Sequence, residues 1–379
     1  MGRRTRKIAE QVEDYEPPKK EEEPDRKDPN NFIPTGSTML NLSISDMING
    51  GWQLGKIFNL IGDSSTGKTL LALVTLAEMC QYERFDDYRL IFDDVEYGCG
   101  FDISKVSPRL STRIEPPKWT EVSKQEKKRG VVPEPIYSDT IQDFHDNVLD
   151  IIDEGRPFAY IADSFDALDA EEDIKKLNAA RAARKKGIKT KGSYGIAKAR
   201  IASHFLRSIK AKVAATNSIV IIISQTRDNI DPMSFVEKTR SGGRALKFFS
   251  WIEMWLAFMS AITSKKIQIG GNSLIKVTKN RTTGKKRTVP LAIYDEFGVD
   301  DIGPNLDFLS TMHDDWEKIK ETGSIIPPKN FLKGEKMSRA RMIRTVESKD
   351  LEEELRLRCQ ELWDHIERGL LQNRKRRYR

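Results

Sequence analysis

Short apolar runs alternate with helical patterns along the middle of the chain, and this alternation restricts the possible folds most. The runs are IFNLI (57–61), LIFDD (90–94), FAYIAD (158–163) and SIVIIIS (218–224). Such short, continuous apolar runs are typical of strands buried on both faces of a parallel sheet. Because helical segments separate them, the pattern predicts an α/β fold with a mostly parallel sheet and right-handed connections.

The helical segments have clear starts and periodicities. The pattern predicts a helix over Thr69–Met79 and another over Thr140–Asp153. The second has a capping box of Thr140 with Asp143, and Gly155 marks its end. A third predicted helix buries one face made of Ile201, Phe205, Ile209 and Val213.

The first apolar run leads into GDSSTGKT (62–69), which fits the pattern G-x-x-x-x-G-K-[ST]. Glycines let backbone N–H groups surround phosphate oxygens, and the following helix N-terminus favours negative charge. The candidate ATP-binding residues are Gly62, Asp63, Ser64, Ser65, Thr66, Gly67, Lys68 and Thr69. Lys68 is placed to reach the terminal phosphates, and the Thr69 hydroxyl is placed to bind Mg²⁺. A purely structural turn is the alternative, but the strand–loop–helix context favours the nucleotide site.

Carboxylates follow two of the other predicted strands. Asp163 ends its run and is a candidate Mg²⁺ ligand, although aspartate also caps turns. Hydrolysis needs a group that activates water, and Glu96 is the best candidate. From the residues alone, Asp93 and Asp94 compete with it.

Charge and cysteine content narrow the class of protein. The 379 residues are 32% charged, with a net charge of +7 and a pI near 9.0. This balance permits a polyanionic partner but fits a basic soluble protein equally well. Three scattered cysteines indicate a reducing compartment without disulfides. We find no run long enough to span a membrane and no signal peptide, and we expect a cytoplasmic location.

Composition divides the chain into three regions. Residues 1–31 are charged and proline-rich, which predicts a disordered tail. The α/β core is expected over 32–312, with an irregular insertion at 104–135, and a helical region over 313–379 ends in a basic tail. In that last region one helical stripe, expected to be core, consists of Leu351, Leu355, Cys359, Leu362, Ile366 and Leu370.

Several segments in a fixed order resemble the RecA family of recombinases, from about residue 34 to 309. They are PTGSTMLNLSI (34–44), the phosphate loop, DVE (94–96), IADSFDAL (161–168), ISQTR (223–227), SGGRALKFF (241–249) and KVTKNR (276–281). A phosphate loop occurs in many families, whereas this ordered set is much more specific. The resemblance implies a RecA-like fold that binds ATP and Mg²⁺ and assembles as a filament or ring.

The resemblance also implies roles for individual residues. Glu96 would activate the attacking water, and Gln225 would sense the γ-phosphate beside a DNA-contacting loop. Lys247 and Phe248 would lie at a subunit interface. Lys279 and Arg281 would act on the nucleotide of a neighbouring subunit, as an arginine finger does.

Two segments are predicted to contact DNA. The first, 166–195, is longer and more basic than the corresponding family loop, and its candidate residues are Arg181, Arg184, Lys185, Lys186, Lys189 and Lys191. The second, 226–243, offers Arg227, Phe235 and Arg240. A solvated charged loop is the alternative for the first segment. Phe235 is as well suited to packing on its own loop as to stacking on bases.

The family resemblance, together with these features, implies a DNA-dependent ATPase that binds single- and double-stranded DNA and performs homologous pairing and strand exchange. Three other functions remain open. One is a RecA-fold hexameric helicase or motor, which shares the phosphate loop and the cations acting in trans. The second is an ATP-regulated single-strand annealing or scaffold protein with negligible turnover. The third is a KaiC-like or accessory paralogue, which would lack DNA-stimulated turnover.

Overall fold

The fold is described from a computed structural model, in which residues 28–186, 196–228, 238–240 and 243–370 are described. The strands are β1 (Phe32–Ile33), β2 (Trp52–Gln53), β3 (Lys56–Gly62), β4 (Arg89–Asp94), β5 (Ile114–Glu115), β6 (Lys118–Trp119), β7 (Pro135–Ile136), β8 (Phe158–Asp163), β9 (Ile219–Asp228), β10 (Lys238–Arg240), β11 (Ile252–Ser264), β12 (Ile267–Asn280), β13 (Thr288–Tyr294), β14 (Gly298–Asp300), β15 (Glu317–Lys318), β16 (Ser324–Ile326) and β17 (Met337–Ser338). 

The helices are α1 (Thr38–Ser45), α2 (Lys68–Met79), α3 (Ile103–Val106), α4 (Pro108–Ser111), α5 (Lys124–Lys128), α6 (Ile141–Asp153), α7 (Glu171–Lys185), α8 (Ile196–Ala215), α9 (Gly243–Phe249), α10 (Ile302–Met312), α11 (Arg339–Ser348) and α12 (Glu352–Leu370). Short 3₁₀ turns lie at Pro29–Asn31, Glu83–Phe85 and Leu332–Gly334.

The main sheet confirms the predicted parallel core. Its order is β14-β13-β12-β11-β3-β9-β8-β4-β5, and β10 pairs with β9. Along the order from β11 to β5, each strand is parallel to the next. The carboxyl ends of β3, β4, β8 and β9 therefore meet at one edge of the sheet, where α/β proteins bind ligands.

Alternating side chains of these strands fill two cores, one on each face. Phe58, Leu60 and Ile221 point into a core with α2, while Tyr160 and Val220 point into a core with α6 and α8. The capping box and the Gly155 end of α6 are confirmed. Each large apolar side chain that is fully buried stabilises the fold by roughly 1.5–3 kcal/mol. Both faces of the phosphate-loop strand are thus fixed by packing.

An antiparallel extension widens the sheet beyond its predicted part. Strands β11 and β12 form a long hairpin that continues into β13 and β14. The hairpin turn lies at Lys265 and Lys266, both with positive φ. β11 lies beside β3, so the hairpin flanks the phosphate loop.

The last residues of the expected N-terminal tail, 28–31, have a defined structure. Asp28 caps the 3₁₀ turn Pro29–Asn31, so the expectation of disorder is wrong for these residues, while residues 1–27 lie outside the described part. The insertion expected over 104–135 carries short elements, and its β5 extends the main sheet at its edge. Arg89 of β4 holds this strand through an ion pair with Glu115 at 2.6 Å.

The C-terminal region shares the core of the α/β domain. Leu355, Cys359 and Leu362 of α12 are buried in the same cluster as α2, whereas Leu370 is 60% exposed. The predicted stripe is therefore core except at its end. The region also contains the small antiparallel sheet β15-β16-β17, which the sequence pattern did not predict. In the part of the chain that the structure describes, no helix is long and apolar enough to cross a bilayer.

Candidate functional site

The phosphate loop connects β3 to α2 at the carboxyl edge of the sheet. Gly67 has a φ of +88°, and a Cβ there would lie 2.1 Å from Cδ1 of Ile293. A Cβ on Gly62 would lie 2.6 Å from the Leu256 carbonyl oxygen. The two glycines of the motif are therefore required by backbone conformation and by close packing.

Lys68 lies inside the loop. Its Nζ donates to the carbonyl oxygens of Gly62 at 2.9 Å and Asp63 at 2.6 Å. Burial lowers the pKa of Lys68, and the carboxylates of Asp163 and Glu96 oppose that shift. The ammonium is thus poorly solvated, which increases its attraction to an anion placed in the loop.

Thr69 and Asp163 form a hydroxyl–carboxylate pair. Thr69 Oγ1 donates to Oδ2 of Asp163, the last residue of β8, at 2.5 Å. Burial raises the pKa of Asp163 to about 6. Hard oxygen ligands of this kind suit Mg²⁺, which prefers one or two protein oxygens together with phosphate oxygens. The donor set fits the metal predicted from the motif.

The three acidic candidates after β4 occupy different environments. Asp93 is fully buried and accepts hydrogen bonds from Ser138 and from the Tyr160 hydroxyl at 2.6 Å. Asp94 accepts the backbone N–H groups of the turn that follows it. Both carboxylates are occupied in holding the local structure.

Glu96 faces the site instead. Its Oε1 accepts from the Ser164 hydroxyl and from Gln225 Nε2, the latter at 2.8 Å. Residues 96 and 164 follow the ends of β4 and β8, and residue 225 lies in the last part of the parallel strand β9. The structure therefore brings Glu96 and Gln225 into direct contact beside Asp163.

The end of β9 is also connected to the phosphate loop and to the start of the basic segment. Thr226 Oγ1 donates to Asp63 Oδ1, and the backbone N–H of Gln225 donates to Asp166 Oδ2 at 2.6 Å. Sequence reasoning missed the contacts of Thr226 and Asp166. No sequence signal marks them, because they join positions far apart in the chain.

Comparison with known proteins agrees with this architecture. Residues 183–300 match the family model described as the RecA N-terminal domain. Proteins named Protein RecA are similar over most of the chain. The one from Ehrlichia ruminantium (strain Gardel) is 27% identical over 275 residues, which cover 73% of this chain and 66% of the relative.

The relative from Mycoplasma mycoides is 26% identical over 69% of this chain and 65% of its own length. The one from Malacoplasma penetrans (strain HF-2) is 28% identical over 78% of this chain and 77% of the relative. In the first two cases the match spans slightly less than two thirds of the relative. The chain contains a RecA-like domain.

The cations expected to act in trans lie far from the phosphate loop of this RecA-like domain. Asn280, between Lys279 and Arg281, pairs with Ile252, which pairs with Phe58 near the start of β3. The phosphate loop follows the opposite end of that strand. Lys279 Nζ donates to the carbonyl oxygens of Lys247 and Phe248, at 2.5 and 2.9 Å, and Arg281 also donates to that of Phe248. Neither cation joins the site of its own subunit.

The first predicted DNA-contacting segment of the RecA-like domain was expected to be a loop. That expectation is wrong for Glu171–Lys185, which form helix α7. Alanine, leucine, arginine and lysine favour a helix, and acidic residues in the first turn and basic ones in the last suit the helix dipole. Arg181, Arg184, Lys185 and Lys186 are exposed, and we find no ion pair to them among the described residues. Their cationic side chains are thus available to a polyanion.

The remaining DNA candidates are less well placed or lie outside the described residues. Arg227 is 67% exposed, with a guanidinium nitrogen 3.8 Å from an Asp166 oxygen. Lys189, Lys191 and Phe235 lie outside the described residues. Arg240 belongs to β10, but its side chain is not among those described.

A cavity of about 210 Å³ opens beside the phosphate loop of the RecA-like domain. It is bounded by Thr66 and Gly67 on one side and by Phe101, Phe258 and Ile293 on the other. Sequence reasoning missed this apolar wall, because Phe258 belongs to the antiparallel hairpin that the strand pattern did not predict.

Proposed function

We propose that this chain is an ATP-dependent recombinase that binds single-stranded DNA and, by homologous pairing, double-stranded DNA. The observation that carries the proposal is the set of contacts made by the end of β9. Gln225 and Thr226 contact Glu96, Asp166 and Asp63, which are the candidate base, the first residue of the basic segment and a residue of the phosphate loop.

The nucleotide would be held by the residues of the phosphate loop. Lys68 would exchange its two carbonyl partners for phosphate oxygens, and Thr69 with Asp163 would hold Mg²⁺. The cavity next to Gly67 suits the rest of the nucleotide, because it adjoins the loop and one of its walls is apolar. When bound, Mg²⁺ neutralises charge on the phosphates during hydrolysis.

Glu96 would orient the attacking water and accept its proton. For that, its Oε1 must exchange at least one of the hydrogen bonds that it accepts from Ser164 and Gln225. Rotation of the Gln225 side chain away from Glu96 would free the carboxylate. It would also change the conformation at the start of the second DNA-contacting segment, 226–243. The terminal phosphate would thus control an order–disorder switch.

Assembly would complete the site from a second copy. Lys279 and Arg281 lie at the other end of the sheet from their own phosphate loop, so they can serve only the site of a neighbour. Phe248, beside them, is 66% exposed. A head-to-tail contact of this kind is heterologous and gives a filament or a ring. We place this assembly in the cytoplasm.

The test is the ATPase rate of the full chain with and without single-stranded DNA, at low and high salt. We expect stimulation by DNA that fades with salt, because exposed cations bind phosphates by releasing counterions. Lys68→Ala should lose both turnover and the nucleotide dependence of DNA binding. Nucleotide-dependent DNA binding that survives this substitution would refute the mechanism.

Two other outcomes point to different functions. DNA binding and annealing without turnover would favour the annealing or scaffold protein. Closed rings that unwind duplex DNA would favour the helicase or motor.

A further inference from the structure

A second cavity lies at the amino end of β3, on the side of the sheet away from the phosphate loop. It has a volume of about 430 Å³ and is lined by Lys56, Lys210, Arg281, Phe248, Phe249 and Trp251, with small or apolar residues between them. Among the described residues that line this cavity, every charged side chain is a cation.

The cations are arranged around aromatic rings. Lys56 Nζ lies 4.5 Å from the centre of the Trp251 ring, and the Arg281 guanidinium lies 5.9 Å from it. Lys210 Nζ lies 5.7 Å from the centre of the Phe249 ring. Cations on ring faces keep their full charge, so the cavity attracts an anion that also has apolar parts.

The start of the described chain lies at the rim of this cavity. The backbone N–H of Leu54 donates to the Asn31 carbonyl oxygen at 2.9 Å, and the next residue, Gly55, lines the cavity. Residues 1–27 precede this point. Glu23 is eight residues before Asn31, so an extended chain keeps it within about 26 Å of Leu54.

One stretch of the preceding segment, residues 10–25, has the complementary charge. Residues 10–25 contain eight acidic side chains and two lysines, together with Tyr15 and three prolines. Covalent attachment close to the rim gives such a segment a high effective concentration at the cavity, which free DNA or a second copy lacks. 

We propose that the acidic stretch 10–25 docks in this cavity of its own chain. The carboxylates contact Lys56, Lys210 and Arg281, and apolar parts of the stretch cover the exposed ring of Phe248. The docking does not depend on the proposed ATPase function, but it covers Arg281 and Phe248. A docked segment therefore competes with the head-to-tail contact proposed above.

The test is proteolysis of the full chain by a glutamyl endopeptidase, which cuts after Glu21–Glu23 only when these residues are accessible. In Lys210→Glu the initial rate of this cleavage should rise about fivefold, because one cation of the cluster becomes repulsive. Lys212→Glu is the matched control on the same helix. Lys212 pairs with Asp153 at 3.9 Å and does not line the cavity, so the rate should stay unchanged.

Two further measurements decide between occupants. Lys56→Gln should also accelerate the cleavage, and this variant replaces Lys210→Glu in the test if Lys210→Glu does not fold.

The cleavage rate of the wild-type protein should rise with salt and be independent of protein concentration. Equal rates in Lys210→Glu and Lys212→Glu would overturn the docking, and protection that increases with protein concentration would assign the cavity to a second copy. If single-stranded DNA binding weakens in Lys210→Glu while the cleavage rate does not change, the cavity is a DNA site and the proposal fails.

Discussion

The phosphate loop and helix α7 both carry strong sequence signals, but they differ in how the protein uses their charges. Lys68 is buried and its Nζ is held by two carbonyl oxygens within the loop. Arg181 and Arg184 are exposed on a helix that buries little more than Asp173. A buried charge acts through fixed geometry at short range, whereas an exposed one acts through the field that it adds to its neighbours.

The two regions should therefore respond differently to the loss of a single side chain. At the phosphate loop, removing one side chain should destroy a function, because each group has a separate position. On α7, removing one cation should weaken binding gradually, because phosphate contacts are interchangeable. The following substitutions test this contrast, beginning with the largest expected effect.

Glu96→Gln should lower ATP turnover by about 100-fold or more, because an amide cannot accept the proton of water. ATP binding, measured with a fluorescent analogue, should be retained. Asp94→Asn is the control, since Asp94 holds a turn and should leave turnover within about threefold. An equal loss of ATP turnover in the two variants would show that Glu96 is not the catalytic base.

Replacing Arg181 and Arg184 together by glutamine should weaken single-stranded DNA binding and lower its salt slope by about 1.4. The control pair is Lys175→Gln with Lys176→Gln on the same helix, because those lysines pair with Glu171 and Asp173. Fluorescence anisotropy at several salt concentrations measures both slopes. The same change in both pairs would mean that α7 acts only through net charge.

The Mg²⁺ concentration needed for half-maximal nucleotide binding should rise as the pH falls below about 6, by up to tenfold per unit. Burial raises the pKa of Asp163 to about 6, and the protonated acid cannot bind the metal. DNA binding without nucleotide should change little over the same range, because lysine and arginine side chains do not titrate there. A constant Mg²⁺ requirement between pH 5 and 7 would exclude Asp163 as a ligand.

Asp163→Asn should stabilise the nucleotide-free protein at pH 7 by about 2–3 kcal/mol. The folded pKa of Asp163 is raised, so its burial destabilises the ionised protein, and this cost grows as the pH rises from about 4 to 6. Thermal unfolding at pH 4 and pH 7 measures the difference, which should be much smaller at pH 4. A loss of stability at pH 7 would show that the Thr69 contact outweighs the burial of charge.

The sequence predicted much of the fold where the physical rule is local. Four apolar runs became β3, β4, β8 and β9, because continuous apolar segments can be buried only between two layers. The cap of α6 was also readable, since Thr140 and Asp143 are three residues apart. Helix α7 was missed because its many charged residues are also typical of a solvated loop, although its four alanines favour a helix.

The same limit applied to the site. The phosphate loop was identified because all its groups lie within one stretch, and the family resemblance directed attention to Glu96 and Gln225. The residues alone left Asp93, Asp94 and Glu96 equivalent as candidate bases. The burial of Asp93 beneath Ser138 and Tyr160 distinguishes it from Glu96, and no local pattern contains that information.

By itself, the sequence determined the strand–helix alternation, the phosphate loop and the basic character of the segment after β8. These depend on side-chain type and spacing along one stretch of chain. The tertiary structure alone decided that Thr226 bonds to Asp63, that Lys279 and Arg281 face away from their own phosphate loop, and that α12 joins the main core. Such contacts join residues far apart in the chain, and they follow from strand order and sheet direction, which the spacing of residues along a strand does not specify.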